Sequence, residues 1–85
     1  MRQATGVELF AAACRGDRDA FVRLTSEHWD GLFAEAYGIL AQLERAEDAF
    51  VAGLLAAWRD LRGIQGPEGL ENLLHDRVTR ASLFF

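Results

Sequence analysis

The sequence predicts an all-α, single-domain protein of about four helices. Its 85 residues leave room for one hydrophobic core, because a domain typically takes on the order of 100–150 residues. Hydrophobic residues make up 51% of the chain, which excludes a disordered polypeptide. Apolar residues recur at spacings of three and four, and no segment shows the strict alternation of a half-buried strand.

The first predicted helix covers residues 6–15 and carries its apolar side chains on one face. Gly16 is suited to end this helix, because glycine readily adopts the left-handed conformation of a helix C-terminus. Asp17 is suited to begin the next helix, because its carboxylate accepts hydrogen bonds from the free amide groups of the first turn.

The second predicted helix covers residues 18–40 and has a continuous apolar stripe. Gly31 and Gly38 lie inside it, and each costs up to about 1 kcal/mol relative to alanine in a helix. We therefore expect a bend or a close helix contact at these glycines. The stripe consists of Phe21, Leu24, His28, Leu32, Phe33, Ala36, Tyr37 and Leu40.

The third predicted helix covers residues 45–61. Glu44, Glu47 and Asp48 lie near its start, where the helix dipole favours negative charge, and this explains the carboxylates without a metal ion. Its apolar face consists of Ala46, Phe50, Leu54, Trp58 and Leu61, widened by Val51 and Leu55.

The fourth predicted helix covers residues 68–83 and follows Pro67, whose missing amide hydrogen is not needed at the first helical position. All connections between the predicted helices are short, as in an antiparallel or angled bundle. The four helices therefore form one domain over residues 1–85.

No catalytic constellation is evident in the sequence. Ser26, His28 and Asp30 are the residue types of a hydrolytic triad, but positions two apart on a helix point to different sides. His28 lies on the apolar stripe, which favours a packed imidazole. Cys14 lies on an apolar helix face, where cysteine acts as a small buried hydrophobe. We expect a protein that is not an enzyme.

Composition excludes several other classes of protein. Cys14 is the one cysteine, so no internal disulfide can form, and with two histidines the chain lacks the donors of a zinc site. No apolar run approaches the roughly 20 residues of a membrane span, and the opening MRQATG lacks the apolar region of a signal peptide. We expect a cytoplasmic protein without cofactor, metal or membrane attachment.

The charge balance argues against general binding of nucleic acid. Nine basic residues, all arginine, stand against thirteen acidic ones, for a net charge of −4. Affinity for phosphate backbones comes from clustered lysine and arginine that displace counterions. A nucleic-acid role must therefore be local or depend on a partner.

Three short motifs occur in order along the chain. The stretch RGDRDAF over residues 15–21, followed by Leu24, resembles the "GD..AF..L" opening of extracytoplasmic-function sigma factors. The tripeptide AED at residues 46–48, followed by Trp58, resembles the "AED…W" pattern of region 2 in the same family. Between them, the positions of the family's "l…ay" helix hold Leu32, Ala36 and Tyr37. The resemblance covers roughly residues 7–80.

This resemblance implies a function in transcription initiation. Region 2 of these factors is a helical domain that docks on the clamp helices of the RNA polymerase β′ subunit and captures a flipped base of the melted −10 promoter element. Carried over by position, the residues that bind polymerase or another partner are Asp48, Val51, Ala52, Leu55 and Arg59. The residues that contact promoter DNA are Arg62, Gly63, Ile64, Gln65, Asn72, Arg77 and Arg80.

The chain also departs from the family pattern. Val51 and Ala52 replace a polar pair that normally faces polymerase, and the last helix lacks the usual tryptophan. Between Arg59 and Arg80, four arginines are balanced by four carboxylates. An 85-residue chain also cannot hold the region 4 helix-turn-helix of a complete factor.

Three hypotheses follow. The chain is a sigma region 2-like domain that joins polymerase to −10 DNA, or a sigma-like interaction module that has lost DNA reading and binds an anti-sigma factor or itself. The third alternative is a helical bundle whose motifs match by chance. The apolar residues expected at an exposed interface are Val51, Leu55, Leu83, Phe84 and Phe85, unless the last three fold back onto the core. Trp29 and Trp58 are expected as buried or half-buried anchors.

Overall fold

Helices account for nearly all of the backbone in a computed structural model that describes residues 5–85. The α-helices are α1 (Gly6–Cys14), α2 (Arg18–Thr25), α3 (Trp29–Leu40), α4 (Leu43–Arg59) and α5 (Leu70–Ser82). Short 3-10 turns occur at Ser26–His28, Leu61–Gly63 and Pro67–Gly69. No strand is present in the described part of the chain, so the predicted all-α class is confirmed.

The junction between α1 and α2 follows the predicted signals. Gly16 has a φ of +94°, in the region that glycine adopts most easily. The Asp17 carboxylate accepts a hydrogen bond from the amide of Ala20 at 3.1 Å and caps α2. The Thr5 hydroxyl accepts one from the amide of Glu8 at 3.2 Å and caps α1 in the same way.

The second predicted helix is not continuous, which corrects the prediction. The 3-10 turn Ser26–His28 separates α2 from α3, next to the Thr25 hydroxyl, which donates a hydrogen bond to the carbonyl of Phe21 at 2.9 Å. Bonds of this kind compete with the helical ladder and bend helices. The bend therefore does not lie at Gly31 or Gly38, and a methyl group on either glycine would meet no other residue within 4 Å.

The helix α4 forms the centre of the fold. It packs against α3 on one side and α5 on the other, and α3 also contacts α5. The α1–α2 pair covers the end where α4 leads into the two later 3-10 turns. The buried apolar residues are Ala13, Ala20, Phe21, Leu24, Leu32, Ala36, Ala46, Ala49, Ala57, Leu61, Leu70, Leu73, Leu74 and Val78.

Ala46 and Leu61 of the predicted apolar face are fully buried, but small residues form the rest of the buried line of α4. Phe50, Leu54 and Trp58 are half-buried on its flank, whereas the fully enclosed positions are Ala46, Ala49, Gly53 and Ala57. A methyl group on Gly53 would come within 2.6 Å of Val78. Small side chains let two helix backbones approach closely, so α4 and α5 are joined by close contact and not by large interlocking side chains.

A polar contact joins α3 to α5. The Glu35 carboxylate accepts a hydrogen bond from the Thr79 hydroxyl at 2.6 Å, and its second oxygen lies 2.8 Å from Nδ1 of His75. All three side chains are partly buried. The contact fixes which turn of α3 lies beside which turn of α5.

Candidate protein-docking surface

The five residues carried over as a docking face lie together on the solvent side of α4. This outer face consists of Asp48, Val51, Ala52, Leu55 and Arg59, at positions that recur every three or four residues. Val51 is 51% exposed and Leu55 is 59% exposed, while Ala52 is half-buried. The sequence expectation that Val51 and Leu55 lie at the surface is confirmed.

An apolar groove of about 150 Å³ borders the outer face, between α4 and α2. Val51 and Leu55 form one wall, and the exposed Val22 lies on the opposite wall. The remaining lining residues are Arg18, Phe21, Trp29, Leu54 and Trp58. The groove therefore combines exposed aliphatic edges with two half-buried tryptophans.

Hydrogen bonds and ring stacking within the domain fix the side chains of the two tryptophans. The Trp58 indole stacks on Phe21, with 5.2 Å between ring centroids, and its N–H donates to the carbonyl of Ala13 at 3.1 Å. The Trp29 indole N–H donates to the Thr25 hydroxyl at 3.0 Å. Because both N–H groups are satisfied within the domain, the rings offer apolar surface to the groove. The prediction of half-buried anchors is confirmed.

The sequence did not predict that Val22 would join this surface. Phe21 lies on the predicted apolar stripe and is buried, and it also lines the groove. Their approach to α4 depends on how α2 packs across the bundle, which helical periodicity does not specify. The available signal is that Val22 is apolar but lies off the spacing of three and four that defines the predicted stripe.

The residues carried over for DNA contact occupy the connection between α4 and α5 and the outer side of α5. Gly63, Gln65, Asn72 and Arg80 are exposed. Ile64 is half-buried and packs against the core, so only part of its side chain is accessible. An isoleucine in a short connection between helices is drawn inward by burial of its apolar side chain.

Arg62 and Arg77 already bind groups of this chain. Nε of Arg62 donates a hydrogen bond to the carbonyl of Cys14 at 2.8 Å, at the C-terminus of α1. Nε of Arg77 donates to Asp60 at 2.9 Å, and its Nη1 contacts Asp76. Both arginines hold helices together, which is a structural use that the resemblance did not indicate.

Acidic side chains pair with the remaining arginines of this region. Asp60 accepts hydrogen bonds from Arg59 and Arg77. The bond from Arg59, followed by the bond from Arg77, lowers the pKa of Asp60 to about 2. The same contacts with Asp60 raise the pKa of Arg59 and Arg77 above the ordinary value. Arg80 contacts Asp76 at 3.1 Å. No free basic cluster for a phosphate backbone therefore forms here.

A second cleft, of about 450 Å³, lies between α1 and α2. Acidic and basic residues share its lining, so it favours no single charge on a ligand; they are Glu8, Arg15, Asp17, Asp19 and Arg23. Among all the described residues, the cleft included, no group of three His, Cys, Asp or Glu side chains is placed to hold a metal ion. His28 lies 3.5 Å from Glu27, and the Cys14 thiol is free and half-buried.

No family model matches this chain, and no curated protein or solved structure matches it either. Among residues 5–85, no helix has both the length and the hydropathy needed to cross a bilayer. The functional argument therefore depends on the geometry of the outer face of α4, the groove beside it and the paired arginines.

Proposed function

We propose that this chain is a sigma region 2-like domain that acts in bacterial transcription initiation, in the cytoplasm, by docking on the clamp helices of the RNA polymerase β′ subunit. The observation that carries the proposal is the position of Val51 and Leu55, exposed on the outer face of α4 and bordering the groove. An exposed helix face beside an apolar groove suits a helical partner whose apolar side chains enter the groove.

The surroundings of the groove suit a specific protein contact. Its floor consists of tryptophans whose rotamers are fixed by hydrogen bonds and stacking, so little side-chain entropy is lost on binding. Exposed Asp48 and Arg59 lie towards opposite ends of the outer face and supply a polar rim. Apolar anchors at the centre with polar groups at the edge are the usual arrangement of a binding surface.

The docking proposal is tested with the double variant Val51→Glu, Leu55→Glu. Binding to a purified β′ fragment that contains the clamp helices is measured by titration calorimetry. We expect the wild-type chain to bind and the variant to bind on the order of tenfold more weakly or worse, because two charges would enter an apolar contact. Helical circular dichroism and the melting midpoint should stay unchanged, since both side chains are exposed.

A matched control carries the same pair of substitutions elsewhere. Val7 and Leu83 are also exposed, and neither lines the groove. The variant Val7→Glu, Leu83→Glu adds the same charge and should bind the β′ fragment as tightly as the wild type. An equal loss in both double variants, or no binding by the wild type, would contradict the docking proposal.

The proposal extends to promoter DNA through the exposed residues that follow α4. Gln65, Asn72 and Arg80 are exposed members of the DNA set that form no hydrogen bond with α1 or Asp60. With the chain bound to core polymerase, Arg80→Ala should weaken binding of a single-stranded −10 oligonucleotide. The slope of the logarithm of the binding constant against the logarithm of the salt concentration should become shallower by about one unit. Arg62 and Arg77 are unsuitable for this test, because their loss would also disturb α1 and Asp60.

A second candidate function is a sigma-like interaction module that binds an anti-sigma factor and does not read DNA. The pairing of Arg59, Arg77 and Arg80 with carboxylates favours this alternative, because it removes free positive charge from the region. Capture of partners from a lysate of the source bacterium, read by mass spectrometry, separates the two candidates. Recovery of β′ supports the first, and recovery of an anti-sigma factor supports the second.

A further inference from the structure

A second apolar surface lies at the end of the bundle where α3 ends and α4 begins. We call it the end patch, and none of its residues lines the groove. Phe84 is 88% exposed, Leu83 is 70% exposed and Leu43 is 57% exposed. The end patch consists of Ile39, Leu43, Leu83, Phe84 and Phe85.

Contacts between the helices place these residues side by side. Glu35 on α3 bonds to Thr79 on α5, and Ile39 and Leu83 lie one turn further along the same two helix faces. Nη1 of Arg45, in the first turn of α4, donates to the carbonyl of Phe85 at 3.3 Å. The end of α3, the start of α4 and the residues after α5 therefore meet at one end of the molecule.

The backbone that carries the end patch is well defined. A two-residue connection joins α3 to α4, and the amide of Ala41 within it bonds to the carbonyl of Tyr37 at 2.8 Å. The amides of Leu83 and Phe84 donate into the last turn of α5, to the carbonyls of Thr79 and Ala81. Because this backbone is held before any contact forms, binding through the patch costs little backbone ordering entropy.

The apolar area of the end patch fits a small interface. Aromatic side chains bury about 150–250 Å² each, and the observed exposures correspond to on the order of 600 Å² for the five residues together. This lies near the upper limit for the largest apolar patch of a monomer. A standard interface uses about 800 Å² from each partner, so the area suits a weak, concentration-dependent contact.

We propose that the end patch is the interface of a symmetric homodimer, in which a second copy of this chain packs its own end patch against the first. No side chain of the patch is charged, and the neighbouring Arg45 guanidinium is already bonded to the backbone oxygen of Phe85. An apolar surface of this kind is complementary to itself, as a two-fold interface requires. The proposal does not depend on the docking function, because the groove lies outside the interface.

Charge gives the dimer a characteristic response to salt. Each copy has a net charge of −4, so two copies repel one another. Added salt screens this repulsion and leaves apolar burial in place. Dimerisation therefore strengthens as salt rises, which is opposite to the response of binding to a phosphate backbone.

Sedimentation equilibrium of the full chain over a wide concentration range tests the proposal. We expect the wild type to pass from monomer to dimer, with tighter association at higher salt. The variant Leu83→Asp, Phe84→Asp should raise the dimer dissociation constant on the order of tenfold or more, with unchanged helical circular dichroism. Val51→Glu, Leu55→Glu adds the same charge to each copy and serves as the control, and at high salt, where that charge is screened, it should dimerise like the wild type.

The outcomes separate this proposal from the docking proposal. A wild-type chain that stays monomeric at every concentration overturns the dimer, as does undiminished association of the Leu83, Phe84 variant. Loss of association in the Val51, Leu55 variant at high salt also overturns it, because the groove would then be the interface. Binding of the β′ fragment by the Leu83, Phe84 variant tests docking independently, since this variant retains the groove.

Discussion

A methyl group placed on Gly53 would lie 2.6 Å from the Cα of Val78, so α4 and α5 meet backbone to backbone at this point. The neighbouring atom belongs to a helix backbone and cannot rotate away as the tip of a side chain would. The position of α5, and with it the polar contact to α3, therefore depends on the absence of a side chain at one residue of α4.

Gly53→Ala should destabilise the domain by about 1–3 kcal/mol, because the helices must separate to admit the methyl group. Chemical denaturation followed by circular dichroism measures this free energy of unfolding. Gly31→Ala is the matched control, since its added methyl group meets no atom within 4 Å. It should stabilise the domain by up to about 1 kcal/mol through helix propensity. Equal effects of the two substitutions would contradict the close contact.

Asp60 should make stability depend on pH in acid. Its folded pKa is about 2 because Arg59 and Arg77 bond to it, whereas an unfolded aspartate titrates near 4. The stabilisation is therefore present above about pH 4 and is lost as the pH falls towards about 2.

Asp60→Asn tests this dependence by melting across that pH range. The variant should melt below the wild type at neutral pH, and the difference should shrink in acid as the wild-type carboxylate becomes protonated. Asp48→Asn, which changes an exposed carboxylate on the outer face of α4, should leave the profile of the wild type nearly intact. A constant difference at every pH would refute the proposed role of ionised Asp60.

Thr25 and Trp29 should be energetically coupled. The fully buried Thr25 hydroxyl donates to Phe21 and accepts the indole N–H of Trp29. Thr25→Val preserves the shape of the side chain but removes the acceptor, and should cost about 1 kcal/mol. In a double-mutant cycle with Trp29→Phe, the cost of Thr25→Val should fall, because no N–H group is left without a partner. Strict additivity of the two substitutions would argue against this hydrogen bond.

The C-terminal turn of α1 should become less protected when the side chains that donate hydrogen bonds to its carbonyl groups are removed. Trp58 and Arg62 donate to the carbonyls of Ala13 and Cys14, the last two residues of α1. Arg62→Ala should therefore increase amide hydrogen exchange in α1, with little change in α5. Arg80→Ala, which changes an exposed arginine on α5, should leave exchange in α1 unaltered. Uniform protection of α1 in both variants would show that the Arg62 contact is dispensable.

Much of the fold was predictable because its signals are local. The Gly16 and Asp17 signals at the start of α2, the helical periodicity and the exposure of Val51 and Leu55 all follow from residues close together in the sequence. The division of the second predicted helix was missed because the Thr25 hydroxyl can bond to its own helix or point elsewhere, and periodicity alone does not distinguish these outcomes.

The contacts between residues far apart in the sequence were harder to predict. The pairing of Asp60 with Arg77 joins residues on two elements, and its geometry depends on how α5 returns along α4. The role of Gly53 had a sequence signal, a glycine in line with three alanines on one face of α4. That signal was overlooked because the large residues Phe50, Leu54 and Trp58 dominate a count of hydrophobicity.

The division of α4 into two unlike sides has a consequence for how such a domain diversifies. On the α5 side, a side chain added at Gly53 would clash with α5, so most substitutions there lower the stability of the fold. On the outer face, Val51 and Leu55 are largely exposed to solvent, and substitutions there change the stability of the fold much less. A lineage that carries this architecture can therefore change its outer face in a few mutational steps without passing through an unstable intermediate.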